Sequence, residues 1–97
     1  MNIQAIRALR EKLQNNQVVQ GIWITMDAPA ITEIAVALSL DYVVIDMEHG
    51  SISVDQLPEL FRAIELGDAL PLARVSESVS KDCKQALDAG AGGIIAP

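Results

Sequence analysis

Apolar residues recur along the chain in two alternating patterns, one typical of helices and one typical of strands. In four segments the apolar positions are three or four residues apart, which predicts amphipathic helices. Their apolar faces are Ile3, Ile6, Leu9 and Leu13; Ile31, Ile34, Ala35 and Leu38; Leu57, Leu60, Phe61 and Ile64; and Cys83, Ala86 and Leu87. Continuous apolar runs predict strands over Gly21–Met26, Tyr42–Met47, Leu70–Val75 and Ala91–Ala96. This alternation predicts βαβ units with a parallel sheet.

Several residues mark where the predicted helices begin and end. Pro29 suits the first turn of the second helix, and the stretch 53–56 resembles a capping box before the third. Ser80 is predicted to cap the last helix, while Gly67 and Gly90 are predicted to end the third and fourth helices. The small residues from Gly90 onward precede a strand, so they favour a tight turn over a phosphate-binding loop.

Composition and charge narrow the class of protein. The chain has 97 residues, enough for one small domain, and 51% of them are hydrophobic. Seven basic and thirteen acidic residues give a net charge of −6, which argues against nucleic acid or an anionic membrane as partner. The single Cys83 suits a reducing cytoplasm, and residues 1–16 indicate an amphipathic helix, not a signal peptide. No apolar run is long enough to span a bilayer.

Ionisable residues gather where two predicted strands end. Asp46, Glu48 and His49 follow the second strand, and Arg74 lies near the end of the third. Ligands bind at the carboxyl edge in parallel α/β folds, so this edge is the predicted site. Asp88 comes at the end of the last helix, and its position in the chain gives it no obvious link to that edge.

Each of these residues also has a purely structural interpretation. Asp46 could cap the next helix, a lone His49 could be structural, and Arg74 could pair with a surface carboxylate. Asp88 could simply be solvated, although a negative charge is unfavourable near a helix C-terminus. For each residue considered alone, the structural interpretation is favoured over a functional one. Trp23 is likewise favoured as a packing residue over a ligand contact. The joint placement of Asp46, His49 and Arg74 favours a functional site.

Five segments together resemble the HpcH/HpaI aldolase family, whose members are metal-dependent pyruvate aldolases. They are Gly21–Trp23, Asp41–Gly50, Arg74–Val75, Leu87–Ala91 and Ile94–Pro97, in the family's order. The chain departs from the family pattern at Ser39-Leu40 and at Ser76. The resemblance implies the N-terminal half, about four βα units, of a TIM (β/α)₈ barrel. It also implies one domain over residues 1–97, truncated after the fourth strand.

The resemblance also implies an activity and a role for each residue. A 4-hydroxy-2-oxo acid loses its C4 hydroxyl proton, the C3–C4 bond breaks, and pyruvate enolate and an aldehyde are formed. His49 would be the acid/base and Asp88 its partner, and Asp46 would bind metal-bound water or His49. Arg74 would bind the 2-oxo acid, with Trp23 also in the substrate site. Glu48 belongs to the motif but is assigned no step.

A divalent Mg²⁺, Mn²⁺ or Co²⁺ ion is the cofactor that the resemblance implies. Its protein ligands would be a Glu and an Asp from later strands, and no residue of this chain matches them. A complete barrel takes about 250 residues. We therefore expect the 97-residue chain alone to be inactive. We expect it to form a homo-oligomer, because half a barrel exposes two sheet edges.

Two other functions stay open on the sequence. The chain could be a non-catalytic half-barrel fragment or assembly module that folds without the metal half. Alternatively, it could contribute to citrate-lyase-like cleavage of a CoA thioester, which is closely related C–C bond chemistry.

Overall fold

The computed structural model describes residues 3–97 and contains four parallel strands that alternate with four helices. The helices are α1 (Ile3–Gln14), α2 (Pro29–Ala37), α3 (Leu57–Ile64) and α4 (Ser80–Ala89), and a short 3-10 turn at Val54–Gln56 precedes α3. The strands are β1 (Gly21–Ile24), β2 (Tyr42–Asp46), β3 (Leu70–Arg74) and β4 (Gly93–Ile95). They lie side by side in the order β1-β2-β3-β4. The predicted α/β class with a parallel sheet is confirmed.

The parallel arrangement brings all four carboxyl ends of the strands to one edge of the sheet. Each connecting segment carries a helix that returns the chain to the opposite, amino edge before the next strand begins. In the register between β2 and β3, Asp46 pairs directly with Arg74. The final residues of two neighbouring strands are therefore adjacent because of backbone pairing alone.

The hydrophobic core lies between one face of the sheet and α3. The predicted apolar face of α3 is confirmed, since its four side chains are almost completely buried. They pack in one cluster with residues from β2 and β3, including Val43, Ile45 and Ala73. Burying an aliphatic or aromatic side chain of this size stabilises a fold by about 1.5–3 kcal/mol. Within residues 3–97, this layer contains the cluster of buried hydrophobic side chains.

The predicted apolar faces of the first two helices are only partly correct. In α2 the buried residues are Thr32, Ala35 and Val36, whereas Ile34 and Leu38 are well exposed. Thr32 can be buried because its hydroxyl donates a hydrogen bond to the Ala28 carbonyl at 3.2 Å. The helix is thus rotated from the orientation that hydrophobicity alone predicts.

In α1 the small Ala5 is the buried residue, and the larger Ile3 and Leu13 are exposed. The helix predicted within residues 1–16 is present but ends at Gln14, and residues 1 and 2 lie outside the described range.

Several predicted boundaries are also corrected. Every strand is shorter than its apolar run: β1, β2 and β3 end before the run does, and β4 also begins two residues later. The N-cap of α4 is Val79, with Ser80 as the first helical residue, and Leu87 is exposed while Ala86 is buried. Helix α3 ends at Ile64, before Gly67. A side chain at Gly67 would lie only 2.3 Å from Val36 Cγ1, so this glycine permits α2 and the end of α3 to pack closely.

Gly90 ends α4 as predicted. Its φ of 124° is disfavoured for residues with a side chain, and the following Ala91 N–H donates to the Ala86 carbonyl at 3.1 Å. The turn directs the chain straight into β4, which agrees with the structural interpretation of the small residues there.

The second face of the sheet carries apolar residues outside the core cluster around α3. They are the strand positions that alternate with the core positions, and they include Trp23, Val44, Leu72 and Ile95. Trp23 remains 43% exposed. Within residues 3–97, β1 and β4 each have a single neighbouring strand. This second face extends to the carboxyl edge, where Asp46 and Arg74 lie.

Two leucines test the packing scheme because they share a side chain and differ in burial. Leu60 on α3 is fully buried, and Leu38 at the end of α2 is 67% exposed. We expect Leu60→Ala to lower the free energy of unfolding by about 2–5 kcal/mol, and Leu38→Ala to change it by less than about 0.5 kcal/mol. Urea titration followed by circular dichroism measures both. Similar losses in the two variants would contradict the orientation of α2.

Candidate active site

Asp46 is the most buried ionisable residue of the predicted site. Its side chain is 3% exposed, yet four donors satisfy its carboxylate. The backbone N–H groups of Glu48 and His49 donate to Oδ1 at 3.0 and 3.1 Å. Arg74 Nε donates to Oδ1 at 3.1 Å, and Arg74 Nη2 donates to Oδ2 at 2.5 Å. Burial alone would raise the pKa of Asp46, but the hydrogen bonds from Arg74 and from the two backbone groups outweigh it and lower the pKa.

The two backbone hydrogen bonds explain why the chain turns sharply after β2. An aspartate that accepts N–H groups two and three residues ahead stabilises a tight turn. Gly50 completes the turn with a φ of 99°, and a Cβ atom there would lie 2.2 Å from the Thr25 carbonyl oxygen. Only glycine fits this position. Asp46 therefore shapes the loop that carries Glu48 and His49, in addition to binding Arg74.

Arg74 is at the centre of the cluster and contacts four side chains. Its Nε and Nη2 atoms bind Asp46, and its Nη1 atom lies 3.2 Å from Glu48 Oε1. The guanidinium also stacks on the Trp23 ring at 4.7 Å from its centroid, a cation–π geometry. The hydrogen bond with Asp46 raises the pKa of Arg74, so this residue is a permanent cation.

His49 is exposed and contacts the cluster through one ring nitrogen. Its Nδ1 atom lies 2.8 Å from Arg74 Nη2 and 3.5 Å from Glu48 Oε1. An arginine can only donate, so Nδ1 accepts this hydrogen bond and the neutral ring carries its proton on Nε2. In this arrangement Nε2 is a donor and is not available as a base.

The structure thus brings together Asp46, His49, Arg74 and Trp23, and it leaves Asp88 apart. Asp88 is exposed in the last turn of α4, just before the chain enters β4 at the amino edge of the sheet. The helix runs antiparallel to the strands, so its C-terminal end lies away from the carboxyl edge. Within residues 3–97, Asp88 forms no ion pair or hydrogen bond with His49.

The sequence predicts no catalytic step for Glu48 and favours a packing role for Trp23. Glu48 in fact bridges Arg74 and His49, and Trp23 lies against the Arg74 guanidinium. A signal for Glu48 was present, because it is two residues after Asp46 in the same turn. The signal for Trp23 was its position on the strand next to β2, at the level of Val44.

The residues of the site do not fit a divalent cation. Asp46 and Glu48 both bind the Arg74 guanidinium, so their oxygens lie beside a positive charge. Across residues 3–97, no group of three or more His, Cys, Asp or Glu side chains is arranged to hold a metal ion.

In the same range, no helix has the length and apolar character needed to cross a membrane.

A separate cavity lies at the amino edge of the sheet, between α1, α2 and the residues that follow α3. Its volume is about 500 Å³, and Lys12 and Asp41 in its wall form an ion pair of 2.6 Å. Asp41 also accepts the Gln20 N–H at 2.8 Å, and the Lys12 and Gln20 hydrogen bonds lower its pKa. These contacts tie α1 to the starts of the strands, which is a structural role.

Comparison with known proteins gives a consistent set of relatives, although no family model matches the chain. A hydroxypyruvate/pyruvate aldolase of Rhizorhabdus wittichii is 41% identical over 75 residues, which are 77% of this chain and 30% of that protein. The crystal structure of citrate synthase SbnG matches with a TM-score of 0.81 and 38% identity, over 92% of this chain and 36% of SbnG.

A third match is an HpcH/HpaI aldolase/citrate lyase family protein from Burkholderia cenocepacia. Its TM-score is 0.84 at 27% identity, over 93% of this chain and 36% of the other. The chain therefore spans about a third of the length of these proteins.

The buried carboxylate makes a pH-dependent contribution to stability that can be measured. Because the folded chain lowers the pKa of Asp46 below its ordinary value of 3.8, ionised Asp46 stabilises the fold fully above that value. The contribution is lost as the pH falls through the lowered pKa. We expect Asp46→Asn to reduce the free energy of unfolding at pH 7 by about 1–3 kcal/mol and to flatten its decline in acid. Urea titrations at pH 7 and at lower pH values measure both effects.

Asp68→Asn is the matched control, since Asp68 is exposed and lies at the opposite edge of the sheet. It should leave the acid dependence close to that of the unmodified chain. If Asp46→Asn and Asp68→Asn gave the same profile, the hydrogen bonds to Asp46 would not stabilise the fold.

Proposed function

We propose that this chain, which resembles the HpcH/HpaI aldolases in sequence and shares part of their TIM-barrel-like fold, supplies the acid/base and anion-binding part of a pyruvate aldolase. The relatives are aldolases and lyases, which supports a lyase by resemblance. The observation that carries the proposal is the Asp46–Arg74–His49 cluster at the carboxyl edge of the parallel sheet.

The proposed reaction is the retro-aldol cleavage of a 4-hydroxy-2-oxo acid. A base removes the proton of the C4 hydroxyl, the C3–C4 bond breaks, and its electron pair forms the enolate of pyruvate while C4 becomes an aldehyde. An acid then returns a proton to C3 of the enolate. The protein must therefore hold an oxyanion and must move one proton in each direction.

Arg74 suits the anion-binding role because its charge is fixed in position. Asp46 binds one side of the guanidinium and the Trp23 ring supports its face, so little side-chain freedom is left to lose when a ligand binds. A preorganised donor of this kind typically contributes about 10²–10³ to the rate when it stabilises charge in the transition state. In the proposal, Asp46 is the residue that positions Arg74, and Trp23 forms one wall of the substrate site.

His49 is the proposed acid/base, since imidazole transfers protons near neutral pH. To act as a base at Nε2 it must first take the other tautomer, because Arg74 now holds Nδ1 as an acceptor. Asp88, which the resemblance makes the partner of His49, does not reach it within one chain. In the proposal it takes that role only if a second copy of the chain supplies it, which would make the homo-oligomer part of the site.

The divalent metal of the family would need ligands beyond the residues of this chain, since those in the cluster do not fit it. When bound, such an ion would polarise the 2-oxo group as a Lewis acid. We therefore propose that residues 1–97 form the N-terminal half-barrel domain of a cytoplasmic enzyme. The chain alone, assayed for pyruvate release with Mg²⁺, Mn²⁺ or Co²⁺, should show no turnover.

The alternatives are not better supported. A citrate-lyase-like cleavage of a CoA thioester and a non-catalytic half-barrel module both agree with the fold. The curated relatives that the chain matches are aldolases, which favours the retro-aldol reaction.

Pyruvate binding tests the proposed site without requiring turnover. We expect Arg74→Lys, which keeps a cation opposite Asp46 but loses the paired donors, to weaken pyruvate binding about tenfold or more. His49→Ala should change the dissociation constant by less than about twofold, because an acid/base acts mainly in proton transfer. Titrations followed by amide chemical shifts of the 97-residue chain measure both.

Arg62→Lys is the matched control, since Arg62 is exposed on α3. Equal affinity in Arg74→Lys and Arg62→Lys, with both spectra showing a folded chain, would refute the assignment of Arg74.

A further inference from the structure

The guanidinium of Arg74 has two edges, and they are used differently. The Nε and Nη2 edge binds the buried Asp46 carboxylate. The outer edge, formed by Nη1 and the second N–H of Nη2, is where a ligand carboxylate would bind with two parallel hydrogen bonds. In this structure the outer edge is occupied by the protein itself, with Glu48 on Nη1 at 3.2 Å and His49 on Nη2 at 2.8 Å.

Glu48 is the displaceable partner. Asp46 is buried and receives four hydrogen bonds, so its removal from Arg74 would leave a buried charge without a partner. Glu48 is 28% exposed, and its carboxylate contacts only Arg74 and His49 among the side chains of residues 3–97. The Glu48–Arg74 pair is partly open to water, with 22% of the Arg74 side chain exposed, and it is held by a single ion-pair contact, so a ligand carboxylate can replace Glu48.

The same oxygen of Glu48 also lies 3.5 Å from His49 Nδ1. While Arg74 donates to Nδ1, both atoms are acceptors and no proton can lie between them. A ligand that takes the outer edge of Arg74 frees Nδ1 and Glu48 together. The exposed imidazole can then lose its Nε2 proton to water and gain a proton from water at Nδ1. The new Nδ1–H group donates a hydrogen bond to the Glu48 carboxylate.

We propose that Glu48 is a positioning residue that occupies Arg74 in the free protein and, once a carboxylate ligand displaces it, holds His49 in the Nδ1–H tautomer. Ligand binding thereby converts Nε2 of His49 from a donor into a base. This inference rests on the proposed function for its choice of pyruvate, but the exchange itself applies to any small carboxylate.

The experiment uses the 97-residue chain with ¹⁵N-labelled histidine, which reports on His49 alone because it is the only histidine. Pyruvate and acetate are titrated at constant ionic strength into the unmodified chain, Glu48→Ala and Glu77→Ala. Glu77 is an exposed carboxylate in the loop after β3, so its variant controls for the loss of one negative charge near the site.

We expect Glu48→Ala to bind both carboxylates about two- to fivefold more tightly than the unmodified chain, and Glu77→Ala to bind them as the unmodified chain does. The ring nitrogen shifts should indicate the Nε2–H tautomer in the free chain and the Nδ1–H tautomer with saturating pyruvate. In Glu48→Ala with saturating pyruvate, the ring nitrogen shifts should not indicate a preference for the Nδ1–H tautomer, because its hydrogen-bond acceptor is missing.

Equal or weaker binding by Glu48→Ala, or a ligand-bound chain that keeps the Nε2–H tautomer, would overturn the inference. The two ligands separate this result from a failure of the proposed function. Tighter binding of both carboxylates without a preference for pyruvate would support the role of Glu48 and contradict the aldolase site. A preference for pyruvate over acetate, without tighter binding in Glu48→Ala, would support the aldolase site and contradict the role of Glu48.

Discussion

The bidentate ion pair between Asp46 and Arg74 is the contact on which the rest of the site depends. Backbone pairing places the two residues side by side at the ends of neighbouring strands. A carboxylate that is 3% exposed needs hydrogen-bond donors for both of its oxygens, and the guanidinium together with two backbone N–H groups supplies them. Because the loss of Arg74 would leave the buried Asp46 charge without its cation, the pair holds both strand ends in one geometry.

This single contact organises the residues around it. Through its backbone hydrogen bonds, Asp46 folds the turn that carries Glu48 and His49, and through its ion pair it leaves one edge of Arg74 facing outward. Trp23 supports the guanidinium from the open face of the sheet. The result is a fixed cation with an exposed imidazole beside it, the two groups that the proposed reaction requires.

The sequence predicted the parts of the structure that follow from short-range pattern. Alternating apolar segments predicted the parallel sheet, and the spacing of Leu57, Leu60, Phe61 and Ile64 predicted the buried face of α3. The predicted orientation of α2 was wrong because the orientation depends on the long-range packing of Val36 against Gly67. Thr32 can be buried in this orientation because its hydroxyl donates a hydrogen bond within the helix.

The same limit applies to the site. Strand ends predicted that Asp46 and Arg74 would meet, since register in a parallel sheet follows from the apolar runs. The contact of Glu48 with both Arg74 and His49 depends on side-chain conformations within a tight turn, which spacing does not determine. The separation of Asp88 follows from the direction of α4, and the family resemblance had outweighed that geometry.

The most direct measurement is the position of bound pyruvate, obtained from nuclear Overhauser effects between its methyl protons and the side chains of the 97-residue chain. Two places compete for pyruvate, the cluster at the carboxyl edge and the cavity at the amino edge. If Arg74 is the anion site, we expect contacts to the His49 ring and the Trp23 indole. Contacts to Leu9, Val36 and Leu40 in the cavity wall instead would show that the Asp46–Arg74 pair is structural and that the anion site lies elsewhere.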